Sequence, residues 1–238
     1  MRYETVGQGD EVVVLTHGLA SSSATWSAQV EAFAPYFRVL TWDLRAHGRS
    51  GSPDEPCTLA ALAGDLAAVV AAAGGGSVHA LGHSAGGVIT MRFAIDFPEF
   101  VSSLVLAGTA SECNARAHAY YESLAETAER EGGAAVVRLL GTRAEAAIDP
   151  EPRGFTRVAR AMGRLHTAPL TAELEAVPCP ALVVVGEKDF LGVGGSVIIS
   201  RRLPGARLVI VPGRGHAIFR EDPAAFNQLV LGFLQDRL

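Results

Sequence analysis

A chain of 238 residues, 49% hydrophobic and 19% charged, carries enough apolar material for one large folded domain and is too apolar for a disordered one. A formal charge of −5, one lysine (Lys188) and no basic run argue against a nucleic-acid partner or an anionic membrane surface. Cys57, Cys113 and Cys179 form no C-x-x-C pair and read as reduced thiols. The start MRYETVGQGD lacks a basic, apolar-cored leader, so a cytoplasmic protein with no membrane partner is expected.

In chain order, RYETVG suggests one antiparallel edge strand, and Val12–Thr16 is a continuous apolar strand. A helix is expected over Ala24–Phe33, a strand over Arg38–Trp42 and a helix over Leu59–Ala73. Strand Val78–Gly82, helix Ala85–Phe97 and strand Leu104–Ala107 follow. After a long interruption come strand Leu182–Gly186, helix Val197–Arg202, strand Arg207–Val211 and helix Pro223–Gln235. Near-continuous apolar strands alternating with helices imply an α/β fold, a mostly parallel sheet covered on both faces.

The interruption, 111–170, shows helical spacing in RAHAYYESLAETAERE, AAVVRLLG and PRGFTRVARAMGRL and no convincing strand. A helical block inserted between two parallel strands is expected to cap the C-terminal edge of the sheet, where open α/β sheets place ligands. The expected division is therefore a core of 1–110 and 171–238 with a helical cap of 111–170.

Gly82-His83-Ser84-Ala85-Gly86 fits G-x-S-x-G between a strand and a helix, the setting of a nucleophile elbow. So tight a turn needs nearly side-chain-free residues two before and two after the serine. It lifts the hydroxyl clear of the sheet at a helix N-terminus, where amides face developing negative charge. A serine hydroxyl also needs a base. Of the seven histidines, His79 and His83 read as packing residues, His17 as a structural histidine bonded to backbone, and His118 and His166 as ordinary residues of the helical block. His216, in the Gly-rich loop VPGRGHAIF after the last strand, lies at the catalytic edge and is the expected base. Its carboxylate partner is expected to be Asp189, just past a strand end in VVVGEKD, with Glu187 as the alternative. The amides of Ala85 and, from the loop HGLASSSATW, Leu19 are the expected oxyanion donors.

With these residues in place, HGLASSSATW, RVLTWDLRAHGRS, LGHSAGG, VVVGEKD and VPGRGHAIF together resemble the α/β-hydrolase superfamily over almost the whole chain. The similarity is to its small capped enzymes: esterases, enol-lactonases, carbon–carbon hydrolases and cofactor-free haloperoxidases. The resemblance implies a mostly parallel sheet of eight strands, or seven given the short N-terminus, and acyl transfer to water without cofactor or metal. It places Asp43, Arg45, His47, Gly48 and Ser50 in a structural loop, where Ala46 replaces the more common glycine. Ser84 stands where haloalkane dehalogenases and epoxide hydrolases need aspartate. Ala217 stands where hydroxynitrile lyases of this fold carry lysine. His83 and Ala85 differ from the asparagine and methionine more frequent in carbon–carbon hydrolases.

The substrate is expected to be a small molecule, a mainly apolar carboxylic ester, bordered by Leu19, Trp26 and Ile218 and by Tyr120, Tyr121, Phe155 and Met162 of the cap. At helical spacing the last four also suit a cap core. A lactone or carbon–carbon bond would use the same residues. A ligand receptor on this scaffold is the alternative outside enzymes.

Overall fold

A computed structural model describes residues 1–54, 56–140 and 152–236. At its centre is a seven-stranded sheet ordered β1-β3-β2-β4-β5-β6-β7. The strands are β1 (Tyr3–Val6), β2 (Val12–Thr16), β3 (Arg38–Trp42), β4 (Val78–His83), β5 (Val101–Ala107), β6 (Ala181–Gly186) and β7 (Arg207–Val211). β1 runs antiparallel to β3, and all other neighbours are parallel.

The sequence of β2, VVVLT, shows why the sheet is covered twice. Val12 and Val14 enter one apolar cluster with Leu40, Ala80 and Leu104, while Val13 and Leu15 enter another with Phe33, Phe37 and Leu81. Side chains alternate across a strand, so burial on both faces favours apolar residues throughout, and the one polar side chain, Thr16, accepts from Trp42 Nε1 at 3.0 Å. Helices α2 (Leu59–Ala72), α3 (Ala85–Asp96) and α7 (Gly194–Arg202) cover the first cluster. α1 (Ser27–Phe33), the short α8 (Ile218–Glu221) and α9 (Pro223–Leu234) cover the second. Caps start two of these helices: the Thr58 hydroxyl accepts from Ala61 N at 3.1 Å, and Asp222 accepts from Ala225 N at 3.2 Å ahead of Pro223.

Three segments differ from the sequence reading by more than a single residue at one end. The segment 24–33 divides into a 3₁₀ turn, Ser23–Trp26, and α1. β5 begins at Val101 because Ser102 faces solvent while Ser103 turns inward, a half-polar alternation that an apolar-run criterion misses. α7 begins at Gly194, where a side chain on Gly195 would lie 2.7 Å from Ala110 Cβ.

Between β5 and β6 the described residues form α4 (Ala115–Glu131), α5 (Gly133–Leu140), α6 (Arg153–Gly163) and a 3₁₀ turn, Arg164–His166. The expected block 111–170 includes 141–151, which lie outside the described residues. A third apolar cluster joins Leu124, Ala128, Val136, Leu140 and Phe155 to Ala20, which follows β2. Val158, Met162 and Leu165 instead enter the first sheet cluster. The helices are thereby fastened to the sheet at two places. No described helix is long and apolar enough to cross a membrane.

Candidate active site

β2 lies between β3 and β4, so successive connections leave it in opposite directions and open a crevice at its C-terminal end. Two turns meet there. One follows β2 at Gly18 and Leu19; the other joins β4 to α3 at Ser84.

Ser84 has φ 54° and ψ −121°, a backbone conformation that costs a side-chain-bearing residue on the order of 1–3 kcal/mol. The surroundings enforce it. A side chain on Gly82 would lie 2.5 Å from Gly86 O, and one on Gly86 would lie 2.2 Å from Thr16 O and 2.4 Å from His17 O. Ser84 N donates to Ala107 O at 3.0 Å, and Thr109 Oγ1 donates to Ser84 O at 2.7 Å. Both hydrogen bonds pin the serine to the end of β5, while β2 crowds Gly86 on the other side.

His216 lies in the loop after β7. Its Nδ1 is 2.9 Å from both carboxylate oxygens of Asp189, whose side chain is 1% exposed. A carboxylate accepts only, so Nδ1 carries the proton and Nε2 is left as the basic nitrogen. Leu191 N fixes the carboxylate by donating to Asp189 Oδ1 at 2.9 Å. Glu187, the alternative partner, is exposed and accepts from Gly213 N at 2.8 Å. The loop carrying His216 is held by Gly215 N donating to Glu221 at 2.7 Å and Lys188 N donating to Arg214 O at 2.8 Å.

Three residues around this pair were not singled out from sequence for what they do here. Gly108, directly after β5, has φ +52°, and a side chain there would lie 3.0 Å from Asp189 Oδ2 and 3.2 Å from His216 Nδ1. The Phe190 ring meets the His216 imidazole edge-on, 4.5 Å between centroids. His83, read as a packing residue, also donates from Nε2 to His216 O at 3.1 Å. Its burial holds the imidazole pKa well below the ordinary value. The sequence signal for Gly108 was a glycine directly after the apolar run of a central strand.

Buried histidines also set the loop after β2. His17 Nδ1 donates to Gly18 O at 2.8 Å and Nε2 accepts from Leu44 N at 3.0 Å, with burial lowering its pKa to about 3. His47 donates to Arg45 O at 2.9 Å and accepts from Ala20 N at 3.1 Å. Both are neutral struts holding the segment that presents Leu19. Among the described residues, the Leu19 and Ala85 amides donate to no protein acceptor. His118 and His166 bond backbone carbonyls of the helical block, at Gly163 and Cys113.

A cavity of about 460 Å³ contains Ser84 and His216 and is walled by Leu19, Tyr120, Tyr121, Leu124, Leu140, Phe190 and Phe219, with Lys188 and Arg220 also lining it. Trp26, Phe155, Met162 and Ile218, expected against the substrate, do not line it. Each is at most 1% exposed and packed in a core cluster, Trp26 against Phe219 at 4.3 Å. Among the described residues no three His, Cys, Asp or Glu side chains converge as metal ligands would.

Residues 13–229 match the model of the alpha/beta hydrolase family, and the chain belongs to that family. It is 28% identical over 98% of both chains to a protein of Agrobacterium fabrum named "Putative carbamate hydrolase RutD". It is 30% identical to the pimeloyl-[acyl-carrier protein] methyl ester esterase of Nitrosomonas europaea, over 94% of this chain and 95% of that protein. Among solved structures, the enol-lactonase from Burkholderia xenovorans LB400 superposes with a TM-score of 0.89 at 23% identity, covering 98% of this chain and 96% of that one. Hydrolase chemistry is the function that family and relatives share.

Proposed function

We propose that this protein is a serine hydrolase cleaving small, mainly apolar carboxylic esters through a seryl acyl-enzyme. The observation that carries this reading is the convergence of Ser84, held at an enforced φ of 54°, and a His216 whose Nδ1 is engaged by Asp189, on one largely apolar cavity. His216 Nε2 takes the Ser84 proton as Oγ bonds to the ester carbonyl carbon. The Leu19 and Ala85 amides hold the resulting oxyanion. Collapse expels the alkoxide, which receives the proton from His216, and water then repeats the sequence to free the acid and Ser84. Asp189 holds the imidazole in the required tautomer and stabilises its charged form. Helices α4–α6 act as the cap that dries the cavity.

The test is kcat/KM on p-nitrophenyl butanoate. Ser84→Ala is expected to lose at least about 10³-fold with an unchanged circular dichroism spectrum. Wild-type turnover in that variant would overturn the reading.

A carbamate substrate is the second reading, favoured by the name of the Agrobacterium fabrum relative. Its carbonyl would meet the same residues. Comparing kcat/KM on an ester, a lactone and a carbamate of matched size separates the three substrate types, and the ester is expected to be fastest.

A further inference from the structure

Two cavities open onto Ser84. Besides the one of about 460 Å³, a second of about 380 Å³ runs past Thr109, Glu112 and Asn114 toward α7. Apart from Ser84, only Tyr121 and Leu191 among their lining residues belong to both. Tyr121 therefore stands in the partition between two spaces diverging from the reacting hydroxyl. It sits where α4 packs close to Gly163 of α6, against the first apolar cluster, with the Tyr120 ring 5.9 Å away.

The partition has no evident need of a hydroxyl. Leu191 walls the same space without one, and so would phenylalanine at 121. Yet the Tyr121 hydroxyl has no hydrogen-bond partner among the described residues. Burial pushes the phenol pKa upward, so the group stays a neutral donor. Tyr121 is only partly buried and lines both cavities, so its hydroxyl is within reach of a molecule that fills them, and such a molecule displaces water from this donor and leaves it unsatisfied unless it brings an acceptor. In a wall shared by two cavities that meet at Ser84, the available acceptor is the substrate.

Resting on the serine-hydrolase reading above, we propose that Tyr121 determines specificity: its ring keeps the two arms of the substrate apart, and its hydroxyl donates to an oxygen within one of them. The preferred substrates are then two-armed esters bearing an ether, carbonyl or hydroxyl oxygen close to the scissile bond, in place of plain alkyl esters.

Two isosteric pairs test this, one for each arm: p-nitrophenyl methoxyacetate against p-nitrophenyl butanoate, and 2-methoxyethyl acetate against n-butyl acetate. The readout is the oxygen-to-carbon ratio of kcat/KM within a pair, in which the esters' intrinsic reactivities cancel between enzymes. Tyr121→Phe is expected to lower that ratio about 3- to 10-fold in at least one pair, the range one hydrogen bond supplies. Tyr121→Ala is expected to do the same and also to improve p-nitrophenyl 2-propylpentanoate relative to butanoate, because the two cavities merge. If Tyr121→Ala does not fold, the phenylalanine variant decides alone, since a purely structural tyrosine would not alter an isosteric ratio. Ratios within twofold of wild type in both pairs for Tyr121→Phe would overturn the assignment. Wild-type protein inactive on all four esters would instead overturn the hydrolase reading, and this assignment with it.

Discussion

His83 Nε2 lies 3.1 Å from the backbone oxygen of His216, and the two imidazoles are 4.6 Å apart. The residue that precedes the proposed nucleophile thus holds the loop bearing the proposed base, across 133 positions of sequence. Phe219 packs against the same His83 ring at 4.8 Å. Replacing His83 by phenylalanine keeps an aromatic ring and deletes the donor. We expect kcat to fall about 5- to 10-fold, as one such bond implies, with KM nearly unchanged, and His83→Gln to recover part of the loss. Steady-state kinetics of both variants checks this. Equal kcat in wild type and His83→Phe would remove the positioning role.

Strain at Ser84 predicts a trade between stability and activity. Glycine adopts φ 54° without penalty. Ser84→Gly is expected to stabilise the fold by about 1 kcal/mol, raising Tm by roughly 2–4 °C, while kcat falls at least about 10³-fold. Calorimetry and ester kinetics on one preparation measure both. A lowered Tm would mean that the serine conformation is not strained.

Gly108 is expected to matter through the Asp189–His216 pair. Alanine there must hold φ +52° and place Cβ 3.0 Å from both Asp189 Oδ2 and His216 O. We predict a kcat about 10- to 100-fold lower, KM within about threefold and a Tm lower by a few degrees. Full kcat would show that the pair tolerates displacement.

Acid should unfold this protein from a comparatively high pH. Folded His17 takes a proton only near about 3, against 6.5 for an ordinary imidazole, because burial disfavours its charged form. Between those values the unfolded chain holds the extra proton. Stability is therefore complete above about 6.5 and declines as pH falls through the window, by about 1.4 kcal/mol per pH unit for each such histidine. His47 and His83, also lowered by burial, act in the same direction. Urea titrations from pH 7 to 4 should show the decline, and His17→Gln should flatten it by about 1.4 kcal/mol per unit. An unaltered slope in that variant would contradict the assignment.

Much of the frame was legible because strands covered on both faces are built mainly from apolar residues. Val12–Thr16 and Arg38–Trp42 have the bounds expected from their apolar runs and turn signals, and so has Arg207–Val211, a partly exposed edge strand whose apolar run is bounded in the same way. The pairing of His216 with Asp189 was legible because both follow strand ends at the one edge where loops can meet, while Glu187 points to Gly213. The significance of Ala46 emerges only in the backbone: its φ of 61° explains why glycine is usual there. The cavity wall was not legible. Tyr121 and Met162 are both large residues in helical segments, yet one faces the space around Ser84 and the other enters the sheet core. That difference follows from how α4 and α6 rotate against each other, which periodicity within either helix does not determine. Gly108 and Phe190 were missed for a related reason, since their importance lies in contacts with residues distant in sequence.

The most direct measurement is intact-protein and peptide mass spectrometry after exposure to diisopropyl fluorophosphate. An activated serine is predicted to give a single adduct on Ser84, with ester hydrolysis lost in proportion to labelling, and His216→Ala is predicted to label far more slowly. An unmodified Ser84 in protein whose ester hydrolysis persists would contradict the account.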